Sequence, residues 1–217
     1  MLFRSIALAG FIYSTVALPM LVWSNSQGQW LFGAAGCTGY AFVTALFGLG
    51  SIMHLAGTSY ERYVAIKHFV NSGDGTPFDR KKALRLSLLL WCYSFFWSLM
   101  PVLGWSSYVE EGVGTSCAVN WTSSETSDVS FALCLLLTCF VLPVTVIVYC
   151  YYKCYKALSH FAEYAMENWG ESERVTQELL EAERKVAWES FVMTTGFLVA
   201  WTPYAVASTV ADRKSVV

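Results

Sequence analysis

Charged residues in this chain are clustered, and long apolar runs separate the clusters. Ser5–Tyr60, Leu86–Val109, Val129–Tyr152 and Ser190–Ala211 contain no Asp, Glu, Lys or Arg. A hydrocarbon core about 30 Å thick needs roughly 20 helical residues at 1.5 Å each, so every run is long enough to cross one. The first run has room for two helices and is broken by the polar, Gly-containing stretch Ser24–Gln29. The pattern therefore predicts five spans, at about 2–24, 31–66, 86–107, 129–157 and 184–211. The expected fold class is an all-α integral membrane protein, a single helix bundle over 1–217. The N-terminal apolar stretch outruns a signal sequence and ends in Trp23 and Trp30, so it reads as a span with an aromatic edge.

Composition agrees. Of 217 residues 55% are apolar and only 14% charged, against about a quarter in soluble domains. The net charge of −2 names no partner, because its sign changes from segment to segment. Nothing suggests a nucleic-acid surface. No metal-ligand spacing, phosphate-binding glycine loop or nucleophile–base pairing points to an enzyme, and no inverted repeat points to a transporter.

Orientation follows from the loops. Arg62, Lys67, Arg80, Lys81, Lys82 and Arg85 cluster between the second and third spans, whereas 86–152 carries no Lys or Arg. The positive-inside rule places the first segment in the cytoplasm and the loop after the third span outside. Cys37 and Cys117 then share the oxidising face, either as a disulfide or as two free thiols. Asn120-Trp121-Thr122 is a glycosylation sequon on that face. Pro143 and Pro203 lie within the last two spans and should free the carbonyls of Cys139 and Val199. His54 reads as a packed polar residue.

Arg62 stands at the inner end of the second span, in Glu61-Arg62-Tyr63. A guanidinium at the edge of lipid is costly without a partner or a cavity, which makes it a functional candidate; the plain alternative is a snorkelling side chain.

These residues form an ordered set. Cys37 precedes Arg62 by 25 positions, Trp91 sits mid-span, and Cys117 follows Gly104-Trp105. Pro143 and Tyr151 lie in the fourth span, and Phe197, Trp201 and Pro203 in the fifth. The set resembles the rhodopsin-like G-protein-coupled receptors over their second to sixth helices, about five of seven spans. Within that class the stretch from Gly104 through Glu111 to Cys117 is similar to the outer loop of the opsins. Gly114–Cys117 and Gly196–Val206 look most like the neuropsin branch.

The resemblance implies a receptor that isomerises bound retinal in light and activates a heterotrimeric G protein from the plasma membrane. It implies a Cys37–Cys117 disulfide and a retinal pocket that includes Tyr40, Gly48, Phe140, Trp201 and Tyr204. Glu111, six positions before the cysteine, matches the loop carboxylate that serves many opsins as counterion, with Glu110 its unsuitable neighbour. Tyr40 occupies the position where visual opsins carry a glutamate; a phenol is neutral at pH 7. On the inner side Arg62 would pair with Glu61 and Glu183, and Tyr63 and Tyr151 would complete the coupling switch.

The chain departs from the family pattern in three ways. Gly10 stands where the family carries an Asp, nothing matches a first helix, and no seventh-helix lysine follows Pro203; Lys214 falls in the outer tail. The expectation is a partial chain unable to bind retinal covalently. The competing expectation is a truncated, non-photosensitive membrane product that associates with or titrates complete receptors.

Overall fold

The structure, a computed structural model, describes residues 2–72, 79–111, 114–169 and scattered positions between 181 and 199. Its helices are α1 (Leu2–Gln27), α2 (Gly33–Ser72), α3 (Arg80–Leu99), α4 (Thr126–Leu135) and α5 (Leu142–Trp169). A π-helical turn over Leu136–Val141 joins α4 to α5, so that 126–169 runs as one long helix. Two short strands, β1 (Tyr108–Glu110) and β2 (Cys117–Val119), lie between α3 and α4. Arg4–Gln27, Gly33–His68 and Thr126–Phe161 are each long and apolar enough to cross a membrane.

α2 is the central post and packs against α1, α3, α5 and both strands. Small residues make these approaches possible. A Cβ on Gly50 would come 2.5 Å from Cζ3 of Trp91, and one on Gly57 would come 2.8 Å from Leu90 Cδ1. Buried polar side chains stitch the same helices. Trp91 Nε1 donates to Ser5 Oγ at 2.7 Å, and His54 Nδ1 donates to the Gly50 carbonyl at 2.8 Å. With that proton committed, His54 Nε2 accepts from Ser87 Oγ at 3.0 Å. His54 is thus a fully buried, satisfied core residue.

The elements differ from the sequence reading in instructive places. α3 starts at Arg80 rather than near 86, because its basic residues are already helical below the apolar run. It stops at Leu99 rather than near 107, where Pro101 and Gly104 (φ 98°) turn the chain. The hairpin β1–β2 was not expected. Its register is Tyr108↔Val119, Val109↔Ala118 and Glu110↔Cys117, and strands of three residues are too short to show a period of two.

Pro143 frees a different carbonyl from the one expected. Through the π-turn the bonds run to the fifth residue back, as Leu142 N–H to Leu137 O shows. In that register the donor missing at Pro143 would have served Thr138, not Cys139. Pro203 and most of the expected span 184–211 lie outside the described residues.

Candidate functional site

At the outer end, Cys37 and Cys117 are joined by a disulfide with Cα atoms 5.4 Å apart, pinning β2 to the start of α2. The bridge closes a loop of 80 residues, worth about 4–5 kcal/mol in the chain-entropy account. Around it pack Ala17, Trp30, Tyr40 and Ala41. The hairpin is tied down elsewhere too. Tyr108 donates its hydroxyl to the Ser98 carbonyl at 2.8 Å, and burial pushes that phenol well above its ordinary value. Trp105 Nε1 donates to Ser130 Oγ at 3.0 Å and Ser106 N–H to Ser127 Oγ at 3.3 Å, anchoring the preceding turn to α4.

Beneath this lid lies a cavity of about 370 Å³, walled by α2, the hairpin, α4 and the π-turn. Its size is within the range of about 300–1,000 Å³ usual for small-molecule sites. Gly48 and Phe140 are on its wall, as are Trp97, Tyr108, Phe131 and Cys139. Trp97 and Phe131 rings sit 5.9 Å apart and Trp105 closes the cluster 5.5 Å from Phe131. Trp97, Phe131 and Asp128, a buried acid on the wall, were not singled out from the sequence. An aromatic in a hydrophobic span carries no local mark of which face it takes, whereas Asp128 sits in the first turn of α4 and was legible as a polar boundary only.

Tyr40 is not on the wall. It is buried against Trp30, ring centroids 5.2 Å apart, in the cluster around the disulfide. The residues of α2 that reach the cavity are Ala41, Thr44, Ala45, Gly48, Leu49 and Ile52, on an adjoining helical face. Thr44 Oγ1 is buried without a partner among the described residues.

Glu111 is half buried at the tip of the hairpin. Its carboxylate accepts from Ser116 Oγ, its N–H donates to Ser116 O at 2.9 Å, and its carbonyl accepts from Gly114 N–H. Glu111 is not on the cavity wall. Glu110 is exposed. Asn120 follows β2 on the cavity wall and accepts from Thr122 Oγ1 at 3.4 Å. Trp201 and Tyr204 lie outside the described residues.

At the inner end Arg62 is half buried, and its Nε is buried with no hydrogen-bond partner among the described residues. The described residues hold no Glu61–Arg62 ion pair: consecutive helical side chains point about 100° apart and do not face each other. Glu183 lies outside the described residues. Tyr63 meets Tyr149 of α5 edge-on at 6.4 Å and packs beside Ile66, Cys154 and Leu158. Tyr151 packs against Leu55, Ala56 and Ile147 and contacts Phe191, while its hydroxyl is buried and unpartnered among the described residues. Two polar groups on facing helices, the Arg62 Nε and the Tyr151 hydroxyl, thus have no hydrogen-bond partner among the described residues.

Comparison with known proteins bears on both ends. The profile of the 7 transmembrane receptor (rhodopsin family) matches residues 1–214. Melanopsin-B of Xenopus laevis is 32% identical over 209 residues, covering 95% of this chain and 39% of that protein. The visual pigment-like receptor peropsin of Mus musculus is 32% identical over 198 residues, 89% of this chain and 55% of that protein. Squid rhodopsin superposes with a TM-score of 0.88 at 29% identity, covering 98% of this chain and 61% of that structure. The chain thus spans roughly two-fifths to just over half of these curated relatives.

Proposed function

This chain belongs to the rhodopsin family of seven-transmembrane receptors, which are signalling receptors and not enzymes, and from that premise we propose that it forms part of an opsin, with retinal in the outer cavity and a G protein at the inner face. The observation that carries the reading is the cavity of about 370 Å³ under a hairpin stapled to α2. Its wall is mostly apolar and aromatic, which suits a polyene, and the relatives it matches carry the names melanopsin and visual pigment-like receptor peropsin.

Retinal, when bound, supplies the light-driven isomerisation. The chain's own part is to enclose it. Gly48 leaves room beside α2, Phe140 and Trp97 press on its faces, and the hairpin excludes water. No lysine is on the cavity wall among the described residues, so the contribution read here is wall and lid. Glu111, held by Ser116 at the hairpin tip, is the proposed source of negative charge for a retinal imine. Trp201 and Pro203 are proposed to relay isomerisation to the last helix. At the inner face Arg62 and Tyr151, whose Nε and hydroxyl lack partners among the described residues, are the groups proposed to meet a G protein, together with Glu61, Tyr63 and Glu183. Affiliation to the neuropsin branch and a plasma-membrane address belong to the same proposal.

Retinal titrated into the full chain in nanodiscs should quench tryptophan emission saturably, because Trp97 lines the cavity. Gly48→Leu, which fills the wall, should weaken that quenching about tenfold or more. Quenching that never saturates, or that Gly48→Leu leaves unchanged, refutes the assignment of the cavity.

A further inference from the structure

Among the described residues one side of α3 is open along most of its length, and only Phe95 at its outer end meets another helix, edge-on to Phe42 of α2 at 5.8 Å. Lys81, Arg85, Leu88, Cys92 and Phe95 are all exposed and follow the spacing of a single helical face, i, i+4, i+7, i+11, i+14. Leu84, Leu89 and Phe96 flank them, each about half exposed or more. An apolar stripe of this length on an integral membrane helix faces lipid tails. The stripe ends abruptly at its inner end in two cations. Arg80 and Lys82 stand beside them, off the stripe, and Asp79 is the acid next to the group. Residues 79–85 thus carry a net three positive charges, with no acidic residue in the first turn of α3 and no side-chain cap from Asp79.

The end is the cytoplasmic one. α3 leaves the membrane through Leu99 and Gly104 to the hairpin that carries Cys117, so Arg80 is at the face opposite the disulfide. Four cations crowded within six residues repel one another and oppose the positive pole of the helix, an arrangement unfavourable by itself. Among the described residues no ion pair offsets them. Two of the four crown a surface whose neighbours are acyl chains, and long basic side chains reach along such a surface to the phosphate level.

We propose that the inner end of α3 is a binding site for anionic phospholipid headgroups of the cytoplasmic leaflet, with Lys81 and Arg85 holding the phosphate while Leu84, Leu88 and Leu89 hold the tails. Arg80 and Lys82 add attraction at longer range. The site is independent of retinal and of the cavity, since it uses none of the residues around them.

The full chain is reconstituted in nanodiscs made from phosphatidylcholine with one part in ten phosphatidylserine or phosphatidylinositol bisphosphate (roughly the anionic share that makes a headgroup preference visible). Lipid retained on the protein is then counted by native mass spectrometry. Anionic lipid should be enriched over its share of the disc. Lys81→Gln with Arg85→Gln should lower the ratio of anionic to neutral lipid retained by up to roughly 30-fold, about fivefold for each cation at the surface, which returns it to the share in the disc. Lys81→Arg with Arg85→Lys should keep it, and Arg80→Gln with Lys82→Gln should reduce it less. Inorganic phosphate at millimolar concentration should not compete, because it has no tails for the stripe. The proposal fails if wild type shows no enrichment, if the Lys81/Arg85 neutralisation leaves it intact, if the Arg80/Lys82 pair matters more, or if phosphate competes as well as lipid.

Discussion

The phenol of Tyr93 in α3 donates to the carbonyl of Thr138, 3.3 Å away in the π-turn. That carbonyl is the one Pro143 leaves without a backbone donor in the wide register. A proline and a tyrosine on different helices are thus complementary: one removes a proton donor and the other supplies it. Membrane helices tolerate prolines on this condition.

Tyr93→Phe should therefore destabilise the protein by about 1–2 kcal/mol, the cost of leaving a half-buried acceptor unmet in an apolar surrounding. For a chain of this size that is a fall of about 2–8 °C in the midpoint of thermal unfolding in detergent. Pro143→Ala restores a donor, so the double variant should recover part of the loss. Losses that simply add would break the link between the two residues.

Tyr108 gives a pH signature. The folded protein holds this phenol's proton more tightly than the unfolded chain does, because burial disfavours the charged form. The stabilisation is complete below the unfolded value of about 10 and is lost as pH rises through and beyond it. Unfolding midpoints should be flat from pH 7 to 9 and fall above 10, with a slope of up to about 1.4 kcal/mol per unit from this group. Tyr108→Phe should lose about 1 kcal/mol at neutral pH, from the bond to Ser98, and show a shallower alkaline fall. An alkaline limb identical in both proteins would assign the effect to other tyrosines.

Glu111→Gln tests the charge at the hairpin tip. In a protein that holds retinal as a protonated imine, removing the carboxylate should lower the imine pKa by more than one unit, because an unpaired cation in a low dielectric is strongly disfavoured. Spectroscopic titration reads this directly. An imine that titrates as in wild type takes Glu111 out of the role, and Asp128→Asn would then be the variant to titrate, since Asp128 is the buried acid on the cavity wall.

Helical membrane character was legible because it depends on composition over windows of about 20 residues, and the runs free of charge are unambiguous. The Cys37–Cys117 bridge was legible because topology left two cysteines on one face and the family likeness paired them. What escaped was geometry that depends on one residue more or less. The π-turn has no compositional mark: Leu136–Val141 is as apolar as its flanks. Tyr40 was named from the family likeness, and its ring packs against Trp30 beside the disulfide and not on the cavity wall. The branch within the opsins is equally hard to read, since relatives with different names share about a third of their residues with this chain.

The wide turn between Leu136 and Val141 has a consequence for how this protein is compared with others. One surplus residue rotates everything after it by about 100° relative to an uninterrupted helix. Phe131 above and Tyr151 below can thus both point inward although their spacing would otherwise set them on different sides. Gap placement in this segment therefore decides which side chains are judged equivalent, and a single deletion there would turn Tyr151 towards lipid and shift Cys139 and Phe140 on the cavity wall with it.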